Sequence, residues 1–309
     1  MKDVLFVLGA MDPEMEMILS ILSKLSMPHQ HATVDGKPVH SGNAYKADRI
    51  EHEGTLVFIE CAPADGRPSD SVVIDHHREG DPGYGVAQDE FFKGSSLGQV
   101  LAFLAASRII TERWATKEQW RQVRRQPTPQ LGAGWCQGAL AIGGDLEKGT
   151  GDYTSIGKWV GWFEPPHEIT LTMASDHCLG AAYKGQCPGV SPEAMRIHRT
   201  RVRSNFQGIS PEELEALVSS AETELEKAPE FSFGLRDMRR DIPVPELPEA
   251  ALRKGSGYIS GPLVGKDGRK KFTCSGDPEQ VKAFLSSNPL GLEDVYGDPA
   301  RGFAGGYEK

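Results

Sequence analysis

Asp75, His76, His77 and Arg78 end an apolar run, "SVVID", and open a glycine- and proline-rich loop, "REGDPGYG". Carboxylate and imidazole are the donor types that hold Mn2+, Mg2+, Fe2+ or Zn2+. A histidine with its ordinary pKa also carries protons near neutral pH, so one of the pair can bind an ion and the other serve as acid or base. Three more carboxylates fit the same chemistry. Glu14 and Glu16 stand two apart at a helix start, and Glu60 ends the strand "TLVFIE". Two cations roughly 3.5–4 Å apart, bridged by a carboxylate, activate water and neutralise a phosphoryl group together. Each residue also has a plainer reading. Acidic residues in a first helical turn offset the helix dipole, Glu60 is an ordinary strand end, and the triplet is a hydrogen-bonded turn.

The elements that must position these side chains can be read from patterning. "DVLFVLG" is a short apolar run typical of a buried strand. Asp12 then supplies an N-cap and Pro13 a first helical residue, and Met15, Ile18, Leu19, Leu22 and Leu25 recur at helical spacing. Strands over residues 55–60 and 71–75 and a helix from Ser96 continue the alternation. Such alternation predicts an α/β fold with a parallel sheet flanked by helices, where ligands sit at the carboxyl ends of the strands. Glu14, Glu16, Glu60 and Asp75–His77 all fall at or just past such ends. Beyond them, residues 117–126 read as a polar helix and 131–166 as irregular. Helices are expected over 168–184, 192–206 and 211–227. The proline-rich residues 241–249, "DIPVPELPE", read as a linker. The expected organisation is a domain over 1–240 with a helical extension, the linker 241–249, and a small α/β domain over 250–309.

Composition narrows the function classes. A net charge of −9 over 309 residues argues against a general grip on long duplex nucleic acid. Five scattered cysteines (Cys61, Cys136, Cys178, Cys187, Cys274) without a CxxC fit reduced thiols in the cytoplasm better than a disulfide framework or a structural zinc site. The apolar run before Asp12 is too short for a secretion signal, and no stretch reads as a membrane span.

"VIDHHR" resembles the signature of the DHH phosphoesterase superfamily, which includes RecJ-like nucleases, oligoribonucleases, cyclic-dinucleotide phosphodiesterases and manganese-dependent pyrophosphatases. The opening "AMDPEMEMILS" is similar to that family's first motif, His-x-Asn-Pro-Asp-x-Asp in the pyrophosphatase branch. Pro13, Ile18 and Ser20 keep register, while Ala10 replaces the histidine, and Glu14, Glu16 and Glu60 replace aspartates. The resemblance implies that Glu14 and Glu16 each hold a metal, that Glu60 bridges, and that His76 is a ligand. It implies His77 at the phosphoryl group and Asp75 behind a histidine as its orienting partner. Arg78 then pairs with a carboxylate such as Asp81 or reaches the phosphate, and Gly80, Gly83 and Gly85 let the loop backbone pass close to a ligand. A fourth-motif aspartate is expected at Asp176 or Asp145. Asp176 is preferred because it interrupts a small apolar helix face. "RGFAGGY" is similar to the family's glycine-rich substrate segment, which implies substrate contacts at Arg301, Gly305 and Gly306.

The expected cofactor is a divalent metal, Mn2+ first and Mg2+ second, as one or two ions. The expected activity is metal-dependent hydrolysis of a phosphoester or phosphoanhydride in a small phosphorylated or nucleotide substrate, with a homodimer left open. The alternative is a degenerate, non-catalytic binding or regulatory protein on the same scaffold. "GAMDPEM" is also similar to the start of methylthioadenosine nucleosidases, but it spans seven residues and leaves "DHH" unexplained.

Overall fold

The structure is a computed structural model, and it describes residues 4–106, 166–265 and 268–308. The helix expected over 117–126, the segment 131–165, Asp145 and Cys136 lie outside the described residues. The chain divides into two compact units, Met1–His177 and Cys178–Lys309.

The first unit is built on a four-stranded parallel sheet. Its strands are β1 (Val4–Leu8), β2 (His29–His31), β5 (Thr55–Ile59) and β6 (Val72–Ile74), in the order β2-β1-β5-β6. Strands β3 (Thr33–Val34) and β4 (Lys37–Pro38) form a separate small hairpin. Both faces of the central strands are covered, which is why they read as unbroken apolar runs. Phe6 meets Phe103 edge-on at 5.7 Å on one face, against helix α3 (Ser96–Ala106). Val7, Leu56 and Phe58 pack on the other face with Ala32, Val39, Ala44 and Ala47. Helix α1 (Pro13–Lys24) starts where expected: the Asp12 carboxylate accepts from the Met15 N–H at 2.8 Å, and Pro13 is in the first turn. The chain leaves β1 to one side for β2 and returns on the other side as β5. That reversal creates a crevice at the carboxyl ends of β1 and β5. A short helix α2 (Phe91–Gly94) precedes α3, and helix α4 (Pro166–His177) completes the unit.

The helix expected over 168–184 is broken. Cys178 leaves helical geometry (φ −138°, ψ 36°) and α5 (Leu179–Tyr183) restarts after it. The expectation of reduced thiols is corrected here: Cys178 and Cys187, nine apart in sequence, form a disulfide. The helix break and the turn at Gly185 (φ 69°) bring the two cysteines together. Cys61 and Cys274 are free and buried, and burial pushes both thiols up to about 12.

The second unit holds helices α6 (Pro192–Gln207) and α7 (Pro211–Lys227) and a five-stranded mixed sheet. Strands β7 (Arg236–Arg239), β8 (Tyr258–Val264), β9 (Lys270–Ser275), β10 (Glu293–Asp298) and β11 (Phe303–Tyr307) run in the order β10-β11-β9-β8-β7. The linker reading of 241–249 does not describe this region. β7 precedes that stretch and pairs in parallel with β8, which follows it, so one sheet takes strands from both sides. Leu247 begins helix α8 (Leu247–Lys254), with a proline in its first turn. Glu246 is paired with Arg203 at 2.7 Å, and Glu249 with Arg199 at 3.1 Å and Arg253 at 3.2 Å. Prolines that suggested a spacer instead shape a turn and a helix start. Helix α9 (Pro278–Ser287) covers the far side of the sheet through Val281 and Phe284.

Candidate metal centre

Two strand ends and two helices deliver the donors. Glu14 enters from the first turn of α1, Glu60 follows β5, His76 follows β6, and Asp176 is on the last turn of α4. One donor atom from each of the four lies within 4.8 Å of the other three. His76 is central: its Nε2 is 3.2 Å from Glu60 Oε1 and 3.1 Å from Asp176 Oδ2. A second, overlapping group joins Glu60 and His76 to His77.

These atoms are not satisfied by one another. Among the described residues, Glu14 Oε2, Glu60 Oε1 and both ring nitrogens of His76 are buried without a hydrogen-bond partner. The 3.2 Å approach of His76 to Glu60 lacks hydrogen-bond geometry. Burying unpartnered carboxylates is costly unless a cation is coordinated. Electrostatics agree. Burial first, then the negative charges of Asp176 and Glu60, raise the Glu14 carboxyl well above its ordinary value. Asp12 is pushed up to about 7 by burial and then by Glu60 and Asp176. Burial also pushes Glu60 upward, but His77 and His76 outweigh it and the net direction is down. The donor set of carboxylates and one imidazole fits a hard to borderline divalent ion.

Local backbone explains how the donors reach one point. Glu60 adopts φ 52°, the left-handed region that non-glycine residues rarely enter, and its N–H is held by Ile74 O at 3.0 Å. Gly9 makes that turn fit, because a Cβ there would stand 2.5 Å from Glu60 O. Glu14 Oε1 accepts from the Leu97 N–H at 2.9 Å, at the dipole-favoured start of α3. Gln99 ties α3 to the end of β6: its Oε1 accepts from Asp75 N at 3.3 Å, and its Nε2 donates to Asp75 O at 3.2 Å. His177 stacks on His76 at 5.8 Å between ring centroids, with an interplanar angle of 20°.

Behind the donors sits Asp75, wholly buried. Its Oδ1 accepts from the backbone N–H of His76 at 2.8 Å and of His77 at 3.2 Å, and faces His77 Nδ1 at 3.1 Å. Arg67 Nη2 donates to Oδ2 at 2.7 Å, and the Tyr45 hydroxyl donates to the same carboxylate at 3.0 Å. Burial alone would raise this group, yet the His77 contacts and Arg67 hold it down to about 2. It is therefore an anion, and beside Nδ1 it favours the His77 tautomer that carries its proton there.

The remaining sequence candidates lie elsewhere. Glu16 is exposed and outside both groups, so the register of the first motif is different: Asp12 and Glu14, rather than Glu14 and Glu16, face the cluster. Glu14 and Glu16, two apart within α1, do not share a face, whereas Asp12 stands outside the helix as its N-cap. Arg78 does not form a side-chain pair with Asp81. Its backbone N–H donates to Asp81 Oδ2 at 2.8 Å, and Asp81 lies 3.5 Å from Arg67. Gly83 is needed for a different reason than expected: a Cβ there would lie 2.7 Å from the His76 side chain and 2.2 Å from Gly94 O. Gly80 and Gly85 do have positive φ, 93° and 68°, so they serve the turn itself.

In the second unit Gly305 and Gly306 lie buried in the middle of β11. A Cβ would meet the Tyr296 hydroxyl at 2.6 Å and the Leu292 side chain at 2.9 Å, respectively, so these glycines admit packing neighbours. Arg301 lies over Phe303 at 5.5 Å. The β8–β9 hairpin cations are largely used locally: Arg269 pairs with Asp294 and Lys270 with Glu308, each at 2.8 Å. Sequence reasoning missed Asp12 as a site residue, and also Tyr45, Arg67, Gln99 and His177. Two of these carry a sequence signal: Asp12, inside "MDPEME", which the cap reading already accounts for, and His177, which interrupts the small apolar helix face beside Asp176.

No family model and no curated protein matches the chain. Among solved structures it is similar to exonuclease RecJ bound to manganese, at 14% identity and TM-score 0.38 over 99% of this chain and 86% of that one. It is similar to RecJ in complex with Mn2+ from Thermus thermophilus at 15% identity and TM-score 0.39, covering 99% of this chain and 49% of that chain. The pGpG-specific phosphodiesterase PggH from Vibrio cholerae follows at 11% identity and TM-score 0.33, over 99% and 93%. The chain thus spans about half the length of the Thermus RecJ chain. Among the described residues no helix is long and apolar enough to cross a membrane.

Proposed function

We propose that the chain is a metal-dependent phosphoesterase acting on a small phosphorylated or nucleotide substrate, with one divalent cation, Mn2+ or Mg2+, held by Glu14, Glu60, His76 and Asp176. The observation that carries this reading is the convergence of four buried donor atoms within 4.8 Å, several of them without a hydrogen-bond partner among the described residues. Ala10 and the exposed Glu16 take away donors for a second ion, which favours one. When bound, a divalent ion supplies Lewis acidity toward a phosphoryl oxygen and toward water.

The chain's own residues supply the rest. His77, with its Nδ1 proton held by Asp75, exchanges a proton at Nε2 with water or with the leaving oxygen. Arg78, exposed beside it, offsets phosphoryl charge. A net charge of −9 goes with short substrates rather than long duplexes.

A hydrolysis screen tests the activity, read as 4-nitrophenol, as nucleotide products or as phosphate according to the substrate. With Mn2+ and bis(4-nitrophenyl) phosphate, short oligonucleotides, cyclic dinucleotides and pyrophosphate as substrates, at least one is cleaved and chelation stops the reaction. A protein that binds Mn2+ and phosphate yet cleaves none of these is the non-catalytic binding protein instead.

A further inference from the structure

Tyr45 has no counterpart in the motifs that suggested the activity, yet it touches both arms of the "DHHR" stretch. It lies in a single 3-10 turn, Ala44–Lys46, pinned to the segment after Glu60 by Ala62 N–H to Ala44 O at 3.1 Å and Ala47 N–H to Ala62 O at 3.0 Å. It packs against the apolar cluster of Val7, Phe58 and Cys61. Its hydroxyl donates to both oxygens of Asp75, at 3.0 and 3.1 Å. The guanidinium carbon of Arg78 stands 3.4 Å from the ring centroid.

Arg78 differs from its neighbour Arg67 in a way that matters. Arg67 is spent on Asp75 at 2.7 Å and Asp81 at 3.5 Å. Among the described residues no carboxylate lies within ion-pair distance of Arg78, whose backbone N–H is the part that Asp81 holds. A planar guanidinium stacked on a ring loses little further freedom when it meets a phosphate. Burial and the neighbouring Asp75 charge raise the Tyr45 hydroxyl far above its ordinary value, so it remains a donor.

The geometry points to Tyr45 as a two-sided positioning residue: its hydroxyl holds Asp75 behind His77, and its ring presents Arg78 to an anionic group of the substrate. This rests on the phosphoesterase reading above. The two functions separate in the measured constants, because one acts through proton transfer and the other through binding.

The test measures two quantities on the Mn2+-saturated protein: affinity for inorganic phosphate by calorimetry, and kcat with bis(4-nitrophenyl) phosphate. Tyr45→Phe keeps the ring and removes the hydroxyl, so phosphate affinity stays at the wild-type value while kcat falls by about tenfold or more. Tyr45→Leu removes both, so phosphate affinity also falls, by about two- to thirtyfold. Arg78→Lys, a surface change that keeps the charge and loses the flat stack, weakens phosphate binding by a similar factor. In an Arg78→Met background, Tyr45→Leu makes no further difference to phosphate affinity. The inference is overturned if Tyr45→Phe turns over at the wild-type rate, or if Tyr45→Leu costs the same affinity with and without Arg78. Wild-type protein that neither binds phosphate nor cleaves the ester overturns the phosphoesterase reading itself, and this inference with it.

Discussion

His76 and His77 are adjacent in sequence, but their rings stand at 82° to each other and face different partners. His76 is fully buried among carboxylates, whereas His77 is about one-third exposed and backed by Asp75. Two experiments on neighbouring residues should therefore give different results. His77→Ala keeps its metal and loses about 10²–10⁴-fold in turnover, as removal of a positioned acid–base group does. His76→Ala loses metal and turnover together. Metal analysis and hydrolysis rates on each variant check this, and full metal with full activity in both would return "DHH" to being a plain turn. The sequence made these two histidines, Asp75, Glu14, Glu60 and Asp176 visible because carboxylates and imidazoles beside apolar runs are costly there without a purpose. It could not tell Glu16 from Asp12. Both are acidic, both lie at the start of α1, and only the direction of the helix axis decides which one meets Glu60.

At the scale of elements, β1, α1, β5, β6 and the start of α3 were legible because both faces of the sheet are buried and α1 carries its cap and proline at the expected places. Tertiary packing hid the rest. The break at Cys178 follows from a local pairing that no periodicity reports, and strands β7 and β8 flank a proline-rich stretch that composition alone reads as a spacer. Packing also assigns the glycines after "DHH" to two different purposes. Gly83 gives room to His76, so Gly83→Ala forces His76, Gln99 or the Gly94 carbonyl to move and costs about 1–3 kcal/mol. Its Mn2+ affinity falls with it. Gly85 has φ 68° and open space, with nothing within 4 Å of where a Cβ would stand, so Gly85→Asn, which tolerates that φ, keeps wild-type Mn2+ affinity. Thermal melts and Mn2+ titrations of the two variants read this out; equal behaviour would mean that the loop does not support His76.

For the whole molecule, clustered carboxylates make stability depend on pH and on metal together. Asp12 sits at about 7 in the fold against 3.8 for an ordinary aspartate. A carboxyl raised in this way favours the folded state below 3.8 and withdraws that stability as pH climbs through about 7. Asp12→Asn caps α1 equally well without titrating. Metal-free Asp12→Asn should thus gain in melting temperature over wild type between about pH 4 and pH 8, and saturating Mn2+ should narrow that gap by supplying the missing positive charge. A gap that does not change with pH would remove Asp12 from the cluster's electrostatics. All of this depends on one claim, that Glu14, Glu60, His76 and Asp176 form a metal centre. Calorimetric titration of Mn2+ into wild type and Glu60→Gln at neutral pH tests it most directly. The account predicts one ion per wild-type chain, bound with release of protons, and a loss in Glu60→Gln at least as large as the roughly 10–100-fold that losing a mere outer-shell partner costs. No binding to wild type, or binding to Glu60→Gln with wild-type affinity and stoichiometry, would contradict it.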